Sequence, residues 1–413
     1  MGTDAAGAPN VATTATTAIT AASAAAVPPP GKRIALFLDG TWNTVDNNTN
    51  VWRAKSLCVT NADQISYYSA GVGTTRGERL AGGMFGWGLD DEVLRAYEWL
   101  SENYELGDQV FLFGFSRGAY TARSLSGFIS KCGVLMPGSP LSLDQLYARY
   151  RQGAIPRTLR GLKNAPPASL SLEEKWLLQY SMPVPVWFQG VWDTVGALGV
   201  PFGKIPVVSR SNYQFLDTDL MINDTHAYHA MAIDEHREAF APTLWTRTVR
   251  QGVDAYPDRD LAHVEQRWFL GAHCDVGGGY ADGLLSQIPL NWLLGKARLH
   301  GLQFKGSVTL AGNEAQGAVH DSFATMALGA YRACKLWRPF YRTLGAPPVV
   351  SGPQTTSIIN ETIDGSVFAR WRADGTYRPK NLTAWASAQG VDINALPTSV
   401  LSHDPKNGGL APP

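Results

Sequence analysis

This sequence has few cysteines, no excess of charge of either sign and no long apolar run. Each of these absences argues against one class of protein. The chain has four cysteines in 413 residues. None of them shows C-x-x-C spacing, which is typical of reduced thiols rather than of a disulfide framework or a zinc site. Its 35 basic and 35 acidic side chains give a formal net charge of zero, so it lacks the basic surplus of a nucleic-acid binder. No run of about 18 apolar residues predicts a membrane-spanning helix.

The amino-terminal segment also lacks the features of a secretory signal. Residues 1–31 are rich in Ala, Thr and Pro and have no basic start, which argues against a signal peptide. We interpret this segment as a disordered arm; a tether to something larger is the alternative. The sequence therefore predicts a soluble protein that is cytoplasmic in its producer and that needs a signal-independent route if it is secreted.

Strand and helix patterns alternate along most of the chain, which predicts an α/β fold with a mainly parallel sheet covered by helices on both faces. Strands are predicted at residues 33–38, 109–115, 183–192 and 264–271, and helices at 90–104, 117–131, 220–233, 289–300 and 322–336. A polar, proline-containing stretch at about 137–182 predicts a small cap insert. The main domain is expected at 32–345, followed by a weakly patterned C-terminal extension at 346–413.

One short segment, VFLFGFSRGAYTAR, carries a chemical signature. Gly114, Ser116 and Gly118 fit the pattern G-x-S-x-G, with a predicted strand before and a predicted helix after. Such a turn exposes a serine hydroxyl above the sheet at a helix N-terminus, and side chains at the glycine positions would collide with neighbouring elements. The pattern predicts a nucleophile elbow; a glycine-rich turn with an incidental serine is the alternative.

A nucleophilic serine needs a base and an acid that orients the base, in the chain order Ser, Asp or Glu, His for this architecture. Asp193 directly follows the predicted strand that ends in GVW, and His273 follows the strand VEQRWFLG. We therefore predict the catalytic residues Ser116, Asp193 and His273. His320 remains a rival base. Asp275 remains a rival acid, although a role in ordering its loop fits it better.

Acyl transfer also needs hydrogen-bond donors for the oxyanion. The backbone N–H of Arg117, directly after the predicted nucleophile, is one candidate. The turn after the first strand offers the other at Gly40 or Thr41, with Asp39 bracing the turn. Ordinary Asp-Gly turn chemistry is the competing explanation for this second group.

Metal and phosphate patterns are incomplete. His226 and His229 have i, i+3 spacing, but no third ligand follows at a recognisable interval. The segment at 199–204 is one residue short of a P-loop and has no Ser or Thr after its lysine. The glycines at 277–279 fit an anion-binding nest or space beside His273 equally well. No cofactor or catalytic metal is predicted.

Eight ordered stretches resemble one family: LFLDGTWN, GVGT, GGMFGWGLD, LFGFSRGAYTAR, VWDTVGALG, AYHAMAIDE, FAPTLW and GAHCDVGGGY. They are similar to the α/β-hydrolase family of domain of unknown function 2235, which includes type VI secretion lipase effectors of the Tle1 group. The resemblance spans about residues 33–296. It implies a catalytic triad at Ser116, Asp193 and His273, hydrolysis of phospholipid acyl esters and no catalytic metal.

The expected function is therefore a serine hydrolase that cleaves carboxylic esters, with phospholipid acyl esters as the first candidate substrate. An esterase or thioesterase for a non-membrane acyl substrate is the nearest alternative, and a catalytically inert binding module is a third hypothesis. The expected partners are a lipid or small ester, transient contact with a membrane surface, and a secretion carrier or immunity protein. No nucleic acid is expected.

Overall fold

A computed structural model describes most of the chain outside its ends and a few internal segments. The described residues are 31–40, 43, 45–71, 87–152, 157–196, 220–221, 224–251, 259–396 and 402–403. The predictions for the amino-terminal arm, for Thr41 and for the segment at 199–204 lie outside these residues.

Strands account for the centre of the molecule. In chain order they are β1 Arg33–Leu38, β2 Gln64–Ser69, β3 Gln109–Phe115, β4 Val134–Leu135, β5 Ser181–Met182, β6 Val186–Trp192, β7 Asp224–Ala232, β8 Thr246–Arg250, β9 Val264–Phe269, β10 Val349–Ser351, β11 Gln354–Ile358, β12 Glu361–Asp364 and β13 Ser402–His403. The main sheet has the order β13-β12-β9-β7-β6-β3-β1-β2. All its pairings are parallel except that of β13 with β12. This confirms the predicted mainly parallel α/β fold.

Helices cover the sheet and build the surrounding layers. In chain order they are α1 Asn50–Leu57, α2 Trp87–Asn103, α3 Arg117–Cys132, α4 Leu143–Tyr150, α5 Leu159–Lys163, α6 Leu172–Tyr180, α7 His273–Gly277, α8 Gln287–Leu299, α9 Ser322–Thr325, α10 Ala330–Cys334, α11 Gly365–Ala373 and α12 Lys380–Gln389. In the part of the chain that is described, none of them is long and apolar enough to cross a membrane.

The two faces of the sheet pack into separate hydrophobic clusters. One cluster joins the sheet to α2 and α3, and the other joins it to α1 and α8. The rings of Phe37 on β1 and Phe113 on β3 stack with centroids 4.8 Å apart in the second cluster. Burial on both faces explains why RIALFL and QVFLFGF are nearly continuous apolar runs rather than alternating ones.

The predicted insert is helical and is closed at its base. The short strands β4 and β5 pair antiparallel at its two ends, and α4, α5 and α6 lie between them. Tyr147 and Tyr150 of α4 pack their rings on Phe128 of α3. The insert therefore shares the hydrophobic cluster of α2 and α3.

Two helix predictions need correction. The helix predicted at 220–233 is wrong, because residues 224–232 form β7, which lies between β6 and β9 in the sheet. Nearly all of β7 is buried, so strand alternation is absent and Ala, Met and His give a helix-like pattern. The helix predicted at 322–336 is divided into α9, a 3-10 turn and α10; Gly329, with φ of 87°, lies at the break.

The C-terminal part joins the same sheet. Strand β12 pairs parallel with β9, and α11 and α12 cover that end of the sheet. Ile363, Phe368 and Trp385 pack in one cluster with Trp268 of β9. The described residues after 346 therefore share a core with the predicted main domain.

Close helix–strand packing at Gly118 gives a stability prediction. A Cβ atom at Gly118 would lie 2.1 Å from the carbonyl oxygen of Leu38, so Gly118→Ala should lower the free energy of unfolding by about 2–3 kcal/mol. Gly295 lies in α8 with open space around an added Cβ, so Gly295→Ala should raise it by about 1 kcal/mol. Urea unfolding measures both. An unchanged midpoint for Gly118→Ala would contradict the packing described.

Candidate active site

The serine of the G-x-S-x-G segment lies on a strained turn. Ser116 has φ of 59° and ψ of −120° and connects β3 directly to α3. A Cβ atom at Gly114 would lie 2.4 Å from the carbonyl oxygen of Gly118, so the turn requires glycine there. A non-glycine residue in such a conformation costs about 1–3 kcal/mol and persists only where its surroundings hold it. Here the Ser116 N–H donates to the carbonyl of Trp192 over 3.1 Å.

Three predicted side chains meet at the carboxyl edge of the sheet. Asp193 follows β6, and His273 begins α7 just after β9. His273 Nε2 lies 2.8 Å from Ser116 Oγ, and His273 Nδ1 lies 2.5 Å from Asp193 Oδ2. Ser116 is 9% exposed and Asp193 is fully buried. The structure thus places the three groups in an unbroken chain of hydrogen bonds.

Asp193 is held by a buried arginine that the sequence reasoning did not select. Arg342 Nη1 lies 2.6 Å from Asp193 Oδ1, and Nη2 lies 2.9 Å from Oδ2. The guanidinium also donates to the carbonyls of Ala232 and Phe240, each over 2.7 Å. Burial alone would raise the pKa of Asp193, but Arg342 and the hydrogen bond from His273 outweigh it and hold that pKa well below its usual range. The carboxylate therefore stays ionised.

His273 is enclosed by aromatic rings. The ring centroids of Phe115 and Phe240 lie 4.6 and 5.0 Å from that of the imidazole. Burial lowers the pKa of His273, and the hydrogen bond to Asp193 opposes this only in part. A neutral imidazole that donates from Nδ1 to Asp193 and accepts at Nε2 from Ser116 satisfies both contacts.

A second buried ion pair supports the loop of the imidazole. Glu235 accepts from the His273 backbone N–H over 3.3 Å and from Ser322 Oγ over 2.8 Å. Arg237 donates to both oxygens of Glu235, and its guanidinium carbon lies 3.5 Å from the ring centroid of Phe240. Burial raises the pKa of Glu235, but Arg237 overcomes this and lowers that pKa to about 2. The pair therefore stays charged and fixes the start of α7.

Arg117 and Gly40, two of the predicted oxyanion donors, lie beside Ser116. Arg117 begins α3 directly after the serine. A Cβ atom at Gly40 would lie 3.3 Å from Ser116 Cβ, so Gly40 is adjacent to the serine. The Gly40 N–H, however, donates to Asp39 Oδ1 over 2.7 Å. Asp39 also accepts from Thr49 and Tyr68, which agrees with its predicted role as a brace.

The rival base and acid are paired with each other. His320 Nδ1 lies 2.7 Å from Asp275 Oδ1, and its ring stacks on Tyr280 at 3.7 Å. Asp275 also accepts from the backbone N–H groups of Ala272 and His320. This carboxylate orders its loop, and it is His273 that contacts Ser116.

Gly277 and Cys274 lie close to His273, and the structure accounts for both. A Cβ atom at Gly277 would lie 1.9 Å from the ring of Phe115, so this glycine makes room for that ring. Burial raises the pKa of Cys274 to about 12, which leaves the thiol protonated at neutral pH.

The two histidines with i, i+3 spacing do not converge. They lie on β7, where residues three apart face opposite sides of the sheet. His229 Nε2 accepts from the N–H of Thr194 over 3.0 Å, whereas His226 stacks on His300 with centroids 3.5 Å apart. Among the described residues, no group of three or more His, Cys, Asp or Glu is arranged to hold a metal ion.

The architecture defines a class. A mainly parallel sheet whose central strand leads through a strained serine turn into a helix is that of an α/β-hydrolase. Residues 32–296 match the family described as type VI secretion system, phospholipase effector Tle1-like, catalytic domain, and the chain belongs to this family. The family is thus named for a phospholipase effector.

Individual relatives are more distant. An uncharacterized protein of Saccharomyces cerevisiae is 28% identical over 239 residues, which are 52% of this chain and 33% of the relative. A crystal structure of an uncharacterized Pseudomonas aeruginosa protein shares 18% identity with a TM-score of 0.42, covering 73% of this chain and 50% of the other. A Tle1 effector bound to the VgrG spike of the type 6 secretion system shares 15% identity with a TM-score of 0.37, covering 75% and 80%. The chain thus spans a third of the yeast relative's length and half of the Pseudomonas protein's.

Three supporting residues escaped the sequence reasoning. Glu235 and Arg237 follow β7, and reading residues 224–232 as a strand would have placed them at the carboxyl edge of the sheet with Asp193 and His273. Arg342 lies beyond the matched residues, in a stretch without strand or helix pattern. No local sequence pattern therefore indicated a role for Arg342.

The buried contact between Arg342 and Asp193 predicts a large stability effect. Arg342→Gln leaves the Asp193 carboxylate buried without its cation, so the free energy of unfolding at neutral pH should fall by about 3–5 kcal/mol. Arg338→Gln, at an exposed arginine nearby, should change it by less than about 0.5 kcal/mol. Denaturant unfolding of the three proteins makes the comparison.

The same measurement in acid supplies the control. Because the pKa of Asp193 is lowered in the folded state, its stabilisation is present above the ordinary pKa of an aspartate and is lost as pH falls through the folded-state pKa. The difference between wild type and Arg342→Gln should therefore shrink as pH falls. Equal unfolding free energies at neutral pH would contradict the role given to the pair.

Proposed function

We propose that the protein is a serine hydrolase of phospholipid acyl esters, with Ser116 as nucleophile, His273 as general base and Asp193 as the group that orients the imidazole. The observation that carries this proposal is the chain of hydrogen bonds from Ser116 Oγ through His273 to Asp193. It starts at a serine held in a strained turn at the N-terminus of α3. Family membership supports the phospholipid substrate.

The chemistry follows from this geometry. Ser116 Oγ attacks the ester carbonyl carbon while His273 Nε2 takes the hydroxyl proton. The Arg117 N–H at the start of α3 stabilises the negative oxygen. Thr41 is proposed as the second donor, because the Gly40 N–H donates to Asp39 Oδ1. His273 then returns the proton to the leaving alcohol. Water, deprotonated by His273, then attacks the carbonyl carbon of the acyl-Ser116 ester. His273 gives the proton to Ser116 Oγ as the fatty acid leaves, which restores the free serine.

The two buried ion pairs have distinct tasks in this mechanism. Arg342 keeps Asp193 ionised and fixed, so that the carboxylate is in place to accept from His273 Nδ1. Glu235 holds the backbone at His273. Together they fix the tautomer and the position of the imidazole before substrate arrives, which limits reorganisation during the reaction.

A delivery route is also proposed from the family. The family is described as Tle1-like, after a phospholipase effector of the type VI secretion system, and a Tle1 effector has been solved bound to a VgrG spike. We propose that this chain is likewise carried by a secretion-system component to a target membrane. Co-purification with the spike protein encoded by the same producer tests this step.

Fatty acid release from mixed-chain phospholipid vesicles tests the activity. The wild type should release acid, and Ser116→Ala should reduce the rate about a thousandfold or more, because the nucleophile is lost while the fold is kept. The identity of the freed chain shows which ester bond is cut.

Fluorophosphonate labelling is the control for that assay. Labelling of the wild type without vesicle hydrolysis would retain the serine mechanism and redirect the substrate to a smaller ester or thioester. Turnover that survives in Ser116→Ala would contradict the mechanism itself.

The pH dependence gives a separate test. The base must be neutral, so the rate should fall as pH falls through the pKa of His273. Because burial lowers that pKa, the acid limb of kcat/KM for a water-soluble ester should have its midpoint below about 6.5, the ordinary value for histidine. A midpoint above that value would contradict the environment described for the imidazole.

A further inference from the structure

A turn near the candidate active site exposes two large apolar side chains. Leu336 is 74% exposed and Trp337 is 61% exposed, and they directly follow α10 and Lys335. Isolated exposed apolar residues are ordinary, but an adjacent Leu-Trp pair presents a sizeable apolar surface. We call residues 332–338 the Leu-Trp turn.

The backbone of this turn is strained at the same two residues. Leu336 has φ of 50° and Trp337 has φ of 62°, in the left-handed region where Gly and Asn are favoured and bulky residues are uncommon. The Leu336 and Trp337 N–H groups donate to the carbonyls of Ala333 and Arg332, each over 3.0 Å. Neither burial nor backbone preference therefore accounts for Leu and Trp at these positions.

Basic side chains flank the pair. The Arg332 guanidinium carbon lies 4.5 Å from the ring centroid of Trp337, and Arg338, the next residue in the chain, is exposed. Lys335 pairs with Glu238 over 2.8 Å. Two arginines beside an apolar tip complement a surface that is anionic outside and apolar beneath.

The turn is linked to the catalytic face by short contacts. Lys335 contacts Glu238, which begins the 3-10 turn Glu238–Phe240. The ring of Phe240 lies 5.0 Å from that of His273, and its carbonyl accepts from Arg342. Two side-chain contacts and one short 3-10 turn therefore connect the Leu-Trp turn to His273.

We propose that the Leu-Trp turn docks the protein on an anionic phospholipid membrane, with Leu336 and Trp337 inserted at headgroup level and Arg332 and Arg338 on the lipid phosphates. This inference rests on the proposed function and specifies how the site meets its substrate. Trp is favoured at the membrane–water interface because its ring is amphipathic. Basic residues strengthen binding to anionic lipid through electrostatic attraction.

The exposed thiol of the turn permits a direct measurement. All four cysteines lie in the described part of the chain, and Cys334 is exposed whereas Cys58 and Cys132 are buried and Cys274 is half-buried. An environment-sensitive fluorophore on Cys334, in the Ser116→Ala background, should shift its emission to the blue with phosphatidylglycerol vesicles and much less with phosphatidylcholine vesicles. Added salt should weaken the response. The Cys334→Ser variant is the control, because any fluorophore bound to it is attached to another cysteine.

Substitution with Asn separates docking from folding. The double variant Leu336→Asn/Trp337→Asn introduces residues that accept the left-handed backbone, so its unfolding midpoint should not fall. Its affinity for vesicles should fall about tenfold or more, because the apolar side chains are lost. Arg332→Gln and Arg338→Gln should each lower the affinity about fivefold. Leu106→Asn is the matched control: Leu106 is 82% exposed but precedes the amino end of β3, whereas Ser116 follows its carboxyl end.

The outcomes distinguish this inference from the proposed function. Vesicle binding is measured in the Ser116→Ala background, where no turnover occurs. If this variant binds vesicles but the wild type releases no fatty acid, the docking proposal stands and the proposed activity is contradicted. Release by the wild type with equal vesicle affinity in the Asn double variant would keep the activity and overturn the docking turn. Equal affinity for the two lipids would also overturn it, because the arginines would then have no role.

Discussion

The carboxylate of Asp193 is the point on which the site depends. It is fully buried and accepts from His273, from the Ala232 N–H and from both terminal nitrogens of Arg342. A buried charge is tolerable only when it is paired and hydrogen-bonded throughout. By meeting that requirement with groups from distant parts of the chain, the carboxylate ties the end of β6, the end of β7 and the C-terminal segment together. The same paired carboxylate therefore stabilises the fold and orients the imidazole of His273.

The same contact explains why the residues beyond the family match matter. The matched region contains Ser116, Asp193 and His273, but Arg342 and Ser322 come from later in the chain. Strand β12 extends the same sheet beside β9. The later segment thus encloses the carboxylate and supports the imidazole from outside the region that defines the family. A fragment that ended with the match would leave Asp193 without its cation.

Local patterns explain why the sequence located the catalytic candidates. Ser116 was predictable because its glycines and flanking elements are contiguous, and Asp193 and His273 because parallel strands end at one edge. Arg342 was not predictable, because it contacts a residue 149 positions away in the sequence. No strand or helix pattern near it indicates a role. Reading β7 as a helix had the same origin: pairing on both sides decides its structure, whereas its composition favours a helix. Both Arg342 and β7 were missed because contacts between distant segments, rather than local propensity, determine their roles.

Backbone strain occurs in two different settings in this molecule. At Ser116 the surroundings enforce it: Gly118 presses against β1, and Ser116 is held to the carbonyl of Trp192. At Leu336 and Trp337 the side chains are exposed, so packing does not demand these residue types, and Asn would suit the backbone better. The strain at Ser116 is explained by the packing and the hydrogen bond that hold its turn. Strain carried by exposed apolar residues needs an external contact to explain it, and the adjacent arginines indicate the charge of that contact.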